Sequence, residues 1–227
     1  MTPAPIKIAI YDMDKTITRR ATYNGFLLHM LMRRAPWRLI LLPLLLLALP
    51  LFMLRIWDRR QLKQFSQALF VGGRVDLQSL RHHVDSYADK VMDSNIYPEA
   101  RARLAQEKRA GYRHVIATAS YRLYAEAIAQ RLGFDDVIAT DLVTDDTGYI
   151  HARIDGDNCY GAAKLLRVKE WMAAQGLERQ YCHLRAYSDH ISDAPLLEFA
   201  DEAFAANPHK PLRQLAEQRG WTILDWR

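Results

Sequence analysis

Cysteine is scarce in this sequence. Only Cys159 and Cys182 occur among 227 residues, and their spacing matches no metal-binding motif. Two thiols cannot build the disulfide framework that is typical of small secreted domains. The residues after Met1 are spaced by prolines and hold no apolar run of the secretory kind. We therefore expect a protein of the reducing cytoplasm rather than an exported one.

Acidic residues are missing from a long stretch near the N-terminus. No Asp or Glu lies between Asp14 and Asp58, and the first 60 residues hold ten Lys and Arg against three Asp, a net charge of +7. The whole chain carries +5, so the remainder is slightly acidic. The basic residues flank an oily run instead of alternating with base-stacking aromatic residues, which argues against nucleic acid as a partner. A different anionic partner is expected.

What the sequence does contain is a regular alternation of strand and helix patterns, which predicts an α/β fold. We expect a Rossmann-like, mostly parallel sheet with helices on both faces and ligands beyond the carboxyl ends of the strands. The predicted strands are 6–11, 114–119, 136–140, 183–189, 202–207 and 221–224, with a hairpin turning at 146–148. The predicted helices between them are 98–110, 121–132, 161–175, 193–200 and 211–219.

Residues 20–95 interrupt this alternation. Helical patterns cover 20–34 and 58–94, the second broken at Gly72-Gly73, and the run 39–54 between them is uncharged. We predict that residues 20–95, here called the cap segment, form a helical cap over the site. Residues 1–19 and 96–227 would form the discontinuous catalytic core.

Polar residues stand at the ends of three predicted strands. In "IAIYDMDKTIT" a buried strand ends in Asp12 and Asp14, whose like charges raise at least one carboxyl pKa unless a cation lies between them. A divalent cation would resolve this repulsion. So would a division of labour, with one ionised Asp as nucleophile and one protonated Asp as general acid. Attack on a phosphoryl group uses both.

Phosphoryl transfer needs further groups, and the sequence supplies candidates at the right strand and helix ends. A hydroxyl for phosphate oxygens is offered by Thr118, with Ser120 near it. Lys164 begins a helix after "CYGAAK" and could balance charge on a phosphorylated Asp. Further carboxylates for a metal are Asp189 and, one helical turn later, Asp193.

Four segments occur in an informative order: "DMDKT", "IATAS", "GAAK" and "YSDHISDAPLL". They resemble the four motifs of the haloacid dehalogenase superfamily of aspartate-nucleophile phosphatases. The resemblance covers residues 6–18 and roughly 98–225. The insertion between the first two motifs is similar to the cap position of the phosphoserine phosphatase-like branch. This resemblance implies a Mg²⁺-dependent phosphatase that acts through an aspartyl-phosphate.

The resemblance also implies roles for matching residues in catalysis and metal binding. Asp12 matches the nucleophile, and its carboxylate also matches a ligand of Mg²⁺. Asp14 matches the acid/base and gives its backbone carbonyl to the metal. Asp189 matches the third protein ligand, whereas Thr16 is expected only to shape the loop.

The same resemblance implies the groups that bind phosphate. Thr118 matches the phosphate-binding hydroxyl, and Lys164 matches the lysine that stabilises the charge of the intermediate. We also predict that Met13 and Ser120 bind the phosphate group. Asp193 is expected to orient Lys164 or a metal-bound water.

The substrate is expected to differ from phosphoserine. Phosphoserine phosphatases read the substrate's amino group with a glutamate soon after the first motif, whereas "ITRRATYNGF" has Arg19 and Arg20 there. A basic entrance suits a substrate with additional negative charge. The order "FLLHMLMRRAPWRLILLPLLLLALP" also resembles the corresponding segment of bacterial phosphatidylglycerophosphate phosphatases.

The run 39–54 suggests where such a substrate resides. As a helix it would span about 24 Å, short of the hydrocarbon core of about 30 Å, and Pro43 and Pro50 would kink it. Arginines flank both ends, which favours a segment lying in one leaflet at the inner face of a membrane. A buried cap helix and a dimer contact are the alternatives.

The expected substrate is a lipid phosphate such as phosphatidylglycerophosphate. A soluble phosphoserine-like metabolite and a phosphotransferase reaction at the same residues stay open.

Overall fold

The computed structural model describes residues 4–226, which form an eight-stranded sheet and nine α-helices. The strands are β1 (Ile6–Tyr11), β2 (Arg74–Asp76), β3 (Arg113–Tyr121), β4 (Asp136–Thr144), β5 (Tyr149–Asp155), β6 (Cys182–Ser188), β7 (Glu202–Ala206) and β8 (Thr222–Leu224). The helices are α1 (Thr22–Arg33), α2 (Leu42–Met53), α3 (Arg59–Phe70), α4 (Leu77–Ser94), α5 (Pro98–Arg109), α6 (Arg122–Leu132), α7 (Ala162–Ala174), α8 (Ala194–Phe199) and α9 (Lys210–Arg219). Short 3-10 helices lie at Pro36–Leu41, Arg179–Tyr181 and Ile191–Asp193.

The strand order in the sheet is β2-β5-β4-β3-β1-β6-β7-β8. The strands from β4 to β8 in this order are parallel, and β5 and β2 are added antiparallel at one edge. Because β1 lies between β3 and β6, the carboxyl ends of these three strands are neighbours. The predicted α/β fold with a mostly parallel sheet is confirmed.

Both faces of the sheet are covered, as the alternation of side chains along β1 shows. Ile8 and Ile10 pack into one apolar core with α7, α8 and α9. Ala9 and Tyr11 pack into the other, with α5, α6 and the helices of the cap segment. Side chains of successive strand residues point to opposite faces, so a fully buried strand separates two cores.

The structure differs from the predicted elements at two places. The predicted strand 136–140 continues to Thr144 and forms the first arm of the hairpin with β5, turning through Gly148 at a positive φ of 82°. The cap segment also contains a strand that the helical patterns did not predict, β2, which pairs with β5 just after Gly72. The division into a core and a cap stays a prediction, and its residues 1–3 and 227 lie outside the described residues.

Helix α2 lies at the surface, with few of its side chains covered. Its one buried residue is Ala48, whereas Leu47 and Met53 are 70% and 79% exposed. Together with the preceding 3-10 helix it forms an 18-residue apolar stretch, Pro36–Met53, with a mean hydropathy of 1.9, of which 6% is buried. Its length and composition would allow it to cross a membrane. The alternative of a buried cap helix does not fit this exposure.

Candidate active site

The ends of β1, β3 and β6 bring most of the predicted site residues to one pocket. This pocket has a volume of about 190 Å³ and is here called the reaction pocket. Residues that are far apart in the sequence meet there because their strands are neighbours in the sheet. The predicted residues that line the reaction pocket are Asp12, Asp14, Thr118, Lys164, Asp189 and Asp193.

Lys164 joins two carboxylates at the base of the reaction pocket. Its Nζ donates to Asp12 Oδ1 at 2.7 Å and to Asp193 Oδ2 at 2.5 Å, and all three side chains are buried. Ser188 donates its hydroxyl to the same Asp193 oxygen at 2.8 Å. Burial alone would lower the pKa of Lys164, but the charges of Asp12 and Asp193 outweigh it and raise the pKa. The lysine is therefore a fixed positive charge, held against Asp12.

Asp12 follows β1 directly and is fixed from both sides. Its second carboxylate oxygen accepts a hydrogen bond from the Thr16 hydroxyl at 3.1 Å, and its backbone N–H donates to Tyr187 on β6 at 2.9 Å. Burial raises the pKa of Asp12 to about 6, although Lys164 opposes the rise. Above pH 6 the carboxylate is mostly ionised, which is the form that a nucleophile needs.

Asp14 is turned away from Lys164 and towards the cap segment. Its Oδ1 accepts from the backbone N–H and the hydroxyl of Thr22 at 2.8 and 2.7 Å, and its Oδ2 accepts from Ser120 at 3.2 Å. Burial raises the pKa of Asp14, and the hydrogen bonds from Thr22 and Ser120 oppose that rise. The two neighbouring aspartates thus lie in different surroundings, which suits different roles.

The hydroxyls at the end of β3 point to different partners. Thr118 lines the reaction pocket, and its oxygen accepts from the Ser120 backbone N–H at 3.1 Å. The Ser120 hydroxyl donates to Asp14 and accepts a hydrogen bond from the Tyr124 hydroxyl at 2.9 Å, so Ser120 orients the Asp14 carboxylate. The side chain of Met13 is fully buried in the core. Among the predicted phosphate-binding positions, Ser120 and Met13 therefore do not line the reaction pocket.

The residues present fit a divalent cation. Asp189 is 8% exposed, and its pKa is raised to about 8 by burial and by the negative charge of Asp12. The buried Asp193 Oδ1 has no hydrogen-bond partner within residues 4–226, which leaves an acceptor for a metal-bound water. No group of three His, Cys, Asp or Glu side chains within these residues is spaced to hold a metal. The predicted ligand set has two carboxylates, from Asp12 and Asp189, and the backbone carbonyl of Asp14, and it stays a prediction.

Sequence reasoning missed three residues that act on this site. Thr22, at the start of α1, has two hydrogen bonds to Asp14, and no local pattern marks it. Thr16 was expected only to shape the loop, but it contacts Asp12. Lys63 on α3 reaches the end of β3, where its ammonium donates to the Ala119 carbonyl at 2.6 Å. The sequence pattern predicted only that Lys63 lies in a helical part of the cap segment.

A second, larger cavity opens beside the reaction pocket. It measures about 740 Å³, is here called the apolar cleft, and shares Asp14, Ala119 and Tyr160 with the reaction pocket. Its walls come mainly from helices of the cap segment. The apolar side chains that line it include Leu27, Leu31, Leu42, Leu45, Leu49 and Phe52.

Comparison with known proteins supports the predicted resemblance. A model of the family described as haloacid dehalogenase-like hydrolase matches residues 9–198. The chain is 30% identical to the Inhibition of morphological differentiation protein of Streptomyces azureus, over 98% of this chain and 79% of that protein. It is 32% identical to a protein of Mycobacterium tuberculosis named phosphoserine phosphatase, over 70% of this chain and 50% of the relative. The chain thus spans about half the length of that relative.

Solved structures show the same fold. A protein of unknown function from Bordetella pertussis superposes with a TM-score of 0.85 at 24% identity, over 99% of this chain and 100% of that one. A phosphoserine phosphatase structure, described as a phospho-aspartyl intermediate analogue, superposes with a TM-score of 0.63 at 14% identity, over 99% and 95% of the two chains. At these identities the structural likeness shows the fold, and the family assignment comes from the sequence match.

Proposed function

The chain belongs to the haloacid dehalogenase-like hydrolase family, and from that premise we propose that it is a Mg²⁺-dependent phosphomonoesterase acting through an aspartyl-phosphate. The observation that carries this proposal is the contrast between two neighbouring aspartates. Asp12 is held against Lys164, whereas Asp14 is held by hydroxyls and lies across the same pocket. One carboxylate is prepared as a nucleophile and the other as an acid.

In the first half of the reaction, Asp12 attacks the phosphorus atom and the bond to the leaving oxygen breaks. Lys164 keeps Asp12 ionised and offsets the negative charge that gathers on the phosphoryl oxygens. Thr118 donates its hydroxyl to one of those oxygens. Asp14 gives its proton to the leaving alkoxide, and the raised pKa of Asp14 favours the protonated form that this step needs.

In the second half, the same aspartate acts as a base. Asp14 takes a proton from a water molecule that attacks the phosphorus of phosphorylated Asp12, which frees inorganic phosphate and restores the carboxylate. Thr22 and Ser120 keep the Asp14 carboxylate in place through both steps. A bound Mg²⁺, held by Asp12, Asp189 and the Asp14 carbonyl, would supply charge neutralisation for the phosphate.

The proposed substrate is a lipid phosphate such as phosphatidylglycerophosphate, taken from the inner face of a membrane. Two observations support this choice. The apolar cleft reaches Asp14, and a volume of about 740 Å³ lined by leucines suits a hydrocarbon chain. Outward leucines of α2, among them Leu46 and Leu47, are 61% and 70% exposed and could enter a leaflet. Phosphoserine has no apolar group to occupy such a cleft.

Phosphate release with Mg²⁺ tests the proposal. We expect the wild-type chain to hydrolyse phosphatidylglycerophosphate in mixed micelles at least 10-fold faster than O-phosphoserine and a panel of soluble esters. Asp12→Asn should release none, and Asp146→Asn, in the exposed hairpin turn, is the matched control. A preference for a soluble ester would overturn the lipid assignment and retain the phosphatase. Transfer of phosphate to an added alcohol in preference to water would indicate a phosphotransferase.

A further inference from the structure

We propose that Lys63 and Arg59 form a binding site for a second anionic group of the substrate, between the reaction pocket and the apolar cleft. This inference rests on the proposed function and refines it. The substrate class becomes an amphiphile that carries a phosphate monoester, a second oxyanion such as a phosphodiester, and a hydrocarbon chain. Neither Lys63 nor Arg59 belongs to any of the four catalytic motifs.

Lys63 is a cation with neutral partners. Its ammonium donates to the Ala119 carbonyl at 2.6 Å and to the Asn158 side-chain oxygen at 3.3 Å, and it lies 4.0 Å from the centre of the Tyr121 ring. Across residues 4–226, no carboxylate comes within ion-pair distance of it, and Asp14 acts on it only through space. Burial lowers the pKa of Lys63 to about 7. An anion beside it would restore the charged form.

Arg59 stands one helical turn before Lys63, on the same face of α3. Its guanidinium lies 5.0 Å from the centre of the Tyr160 ring, which lines both cavities. Arg59 forms no ion pair with any carboxylate of residues 4–226. Two unpaired cations therefore line the apolar cleft where it meets the reaction pocket.

The arginines that the sequence suggested for this task lie elsewhere. Arg19 places its guanidinium over Tyr97, 5.3 Å from the ring centre, and Arg20 is tied through its backbone to Asn95. Neither residue lines either cavity. The sequence analysis expected Arg19 and Arg20 to bind an additional negative charge of the substrate. We assign this binding to Lys63 and Arg59 of α3 instead.

The position of the two cations fixes the order of groups in the substrate. The monoester would lie in the reaction pocket, the second anion at Lys63 and Arg59, and the chain among the leucines of α1 and α2. A charge-assisted hydrogen bond to the second anion should strengthen binding on the order of 10- to 100-fold. A substrate without that anion would lose this gain.

Binding of two matched amphiphiles tests the inference without turnover. We would measure the dissociation constants of dodecylphosphoglycerol, which has a phosphodiester, and dodecylglycerol, which is neutral, by calorimetry on the full chain below the critical micelle concentrations. The wild type should bind the phosphodiester at least 10-fold more tightly. Lys63→Met should remove this difference, Lys63→Arg should keep most of it, and Lys210→Met, on α9, should leave it unchanged.

Two results would overturn the inference: equal affinity of the wild type for both amphiphiles, or an equal loss for both in Lys63→Met. Should Lys63→Met fail to fold by circular dichroism, Arg59→Gln at the exposed end of α3 replaces it, and a several-fold loss confined to the phosphodiester is expected. Asp12→Asn should bind both amphiphiles as the wild type does. If the wild type binds the phosphodiester more tightly but hydrolyses no phosphate monoester, the proposed function is overturned and the second-anion site is supported.

Discussion

The reaction pocket and the apolar cleft are adjacent, but they differ in their lining residues and in whether their charged groups are paired. In the reaction pocket the buried lysine is paired with two carboxylates, and its residues follow three neighbouring strands of a rigid sheet. In the apolar cleft many of the lining side chains are leucines of α1 and α2, and its two cations have no carboxylate partner among residues 4–226. Charges are paired with each other in the reaction pocket, whereas Lys63 and Arg59 in the apolar cleft have no ion-pair partner within the described residues.

Breaking the pair at the centre of the reaction pocket should have the largest effect. Asp12→Asn removes the nucleophile and leaves a side chain of the same shape, so we expect phosphate release to fall by at least about 10⁴-fold. The unfolding temperature should change little, because the amide still fits between Lys164 and Thr16. Residual activity above one-hundredth of the wild type in the purified variant would contradict the role of Asp12.

Removing the acid should have a smaller effect that depends on the leaving group. Asp14→Asn should slow hydrolysis of an alkyl phosphate on the order of 10²- to 10⁴-fold. With p-nitrophenyl phosphate the leaving group needs no proton, so the first turnover should still release nitrophenolate in a rapid burst. Stopped-flow absorbance measures this burst. Equal losses in the first turnover of both substrates would contradict the assignment of Asp14 as the acid.

Two matched substitutions on α2 distinguish the role of the apolar cleft from that of the exposed surface of the helix. Leu45 faces the apolar cleft and Leu47 is 70% exposed. Leu45→Ser should raise KM for a micellar lipid phosphate about 10-fold with little change in kcat, since it removes apolar contact with the chain. Leu47→Ser should lower binding to anionic vesicles and spare KM in detergent. Identical behaviour of the two variants would mean that the cleft does not hold the chain.

The smallest expected effect is the pH dependence of stability that the unpaired Lys63 causes. Its pKa is lowered to about 7 in the folded chain, so between pH 7 and the ordinary lysine range the unfolded state binds more protons. This residue's contribution to the free energy of unfolding should therefore rise with pH across that window, by at most about 1.4 kcal/mol per pH unit. Below pH 7 both states are protonated and its destabilising effect is complete.

Denaturant unfolding of the wild type and of Lys63→Met at several pH values measures this contribution. The difference between the two free energies should change with pH above 7 and be flat below it. A difference that is constant from pH 7 to pH 9 would show that Lys63 is not desolvated. Asp189, with a raised pKa of about 8, acts in the opposite direction and is common to both chains.

The sequence predicted the parts of the molecule that depend on local pattern. Apolar runs marked the strands of the parallel sheet, and the motif order placed Asp12, Thr118, Lys164 and Asp189 at neighbouring strand and helix ends. The fold and the enzyme family are confirmed. The roles of these residues stay predictions, although the structure brings them to one pocket.

What the sequence did not reveal depends on packing between distant segments. β2 has only three residues and exists because β5 offers an edge to pair with. The turn of Ser120 towards Asp14 follows from contacts with Tyr124 and Thr22, and periodicity contains none of this information. Nothing in the local sequence distinguishes Lys63 from a surface lysine. Its burial depends on the packing of α3 against Ala119, which is 56 residues later in the sequence.

Trapping the covalent intermediate tests the central claim most directly. Asp14→Asn should accept the phosphoryl group from p-nitrophenyl phosphate and then hydrolyse slowly, because no base activates the water. After a rapid acid quench, mass spectrometry of the digested protein should find the phosphoryl group on Asp12, and the double variant with Asp12→Asn should carry none. Steady phosphate release with no phosphorylated Asp12 at any quench time, or a phosphoryl group on another residue, would contradict the account.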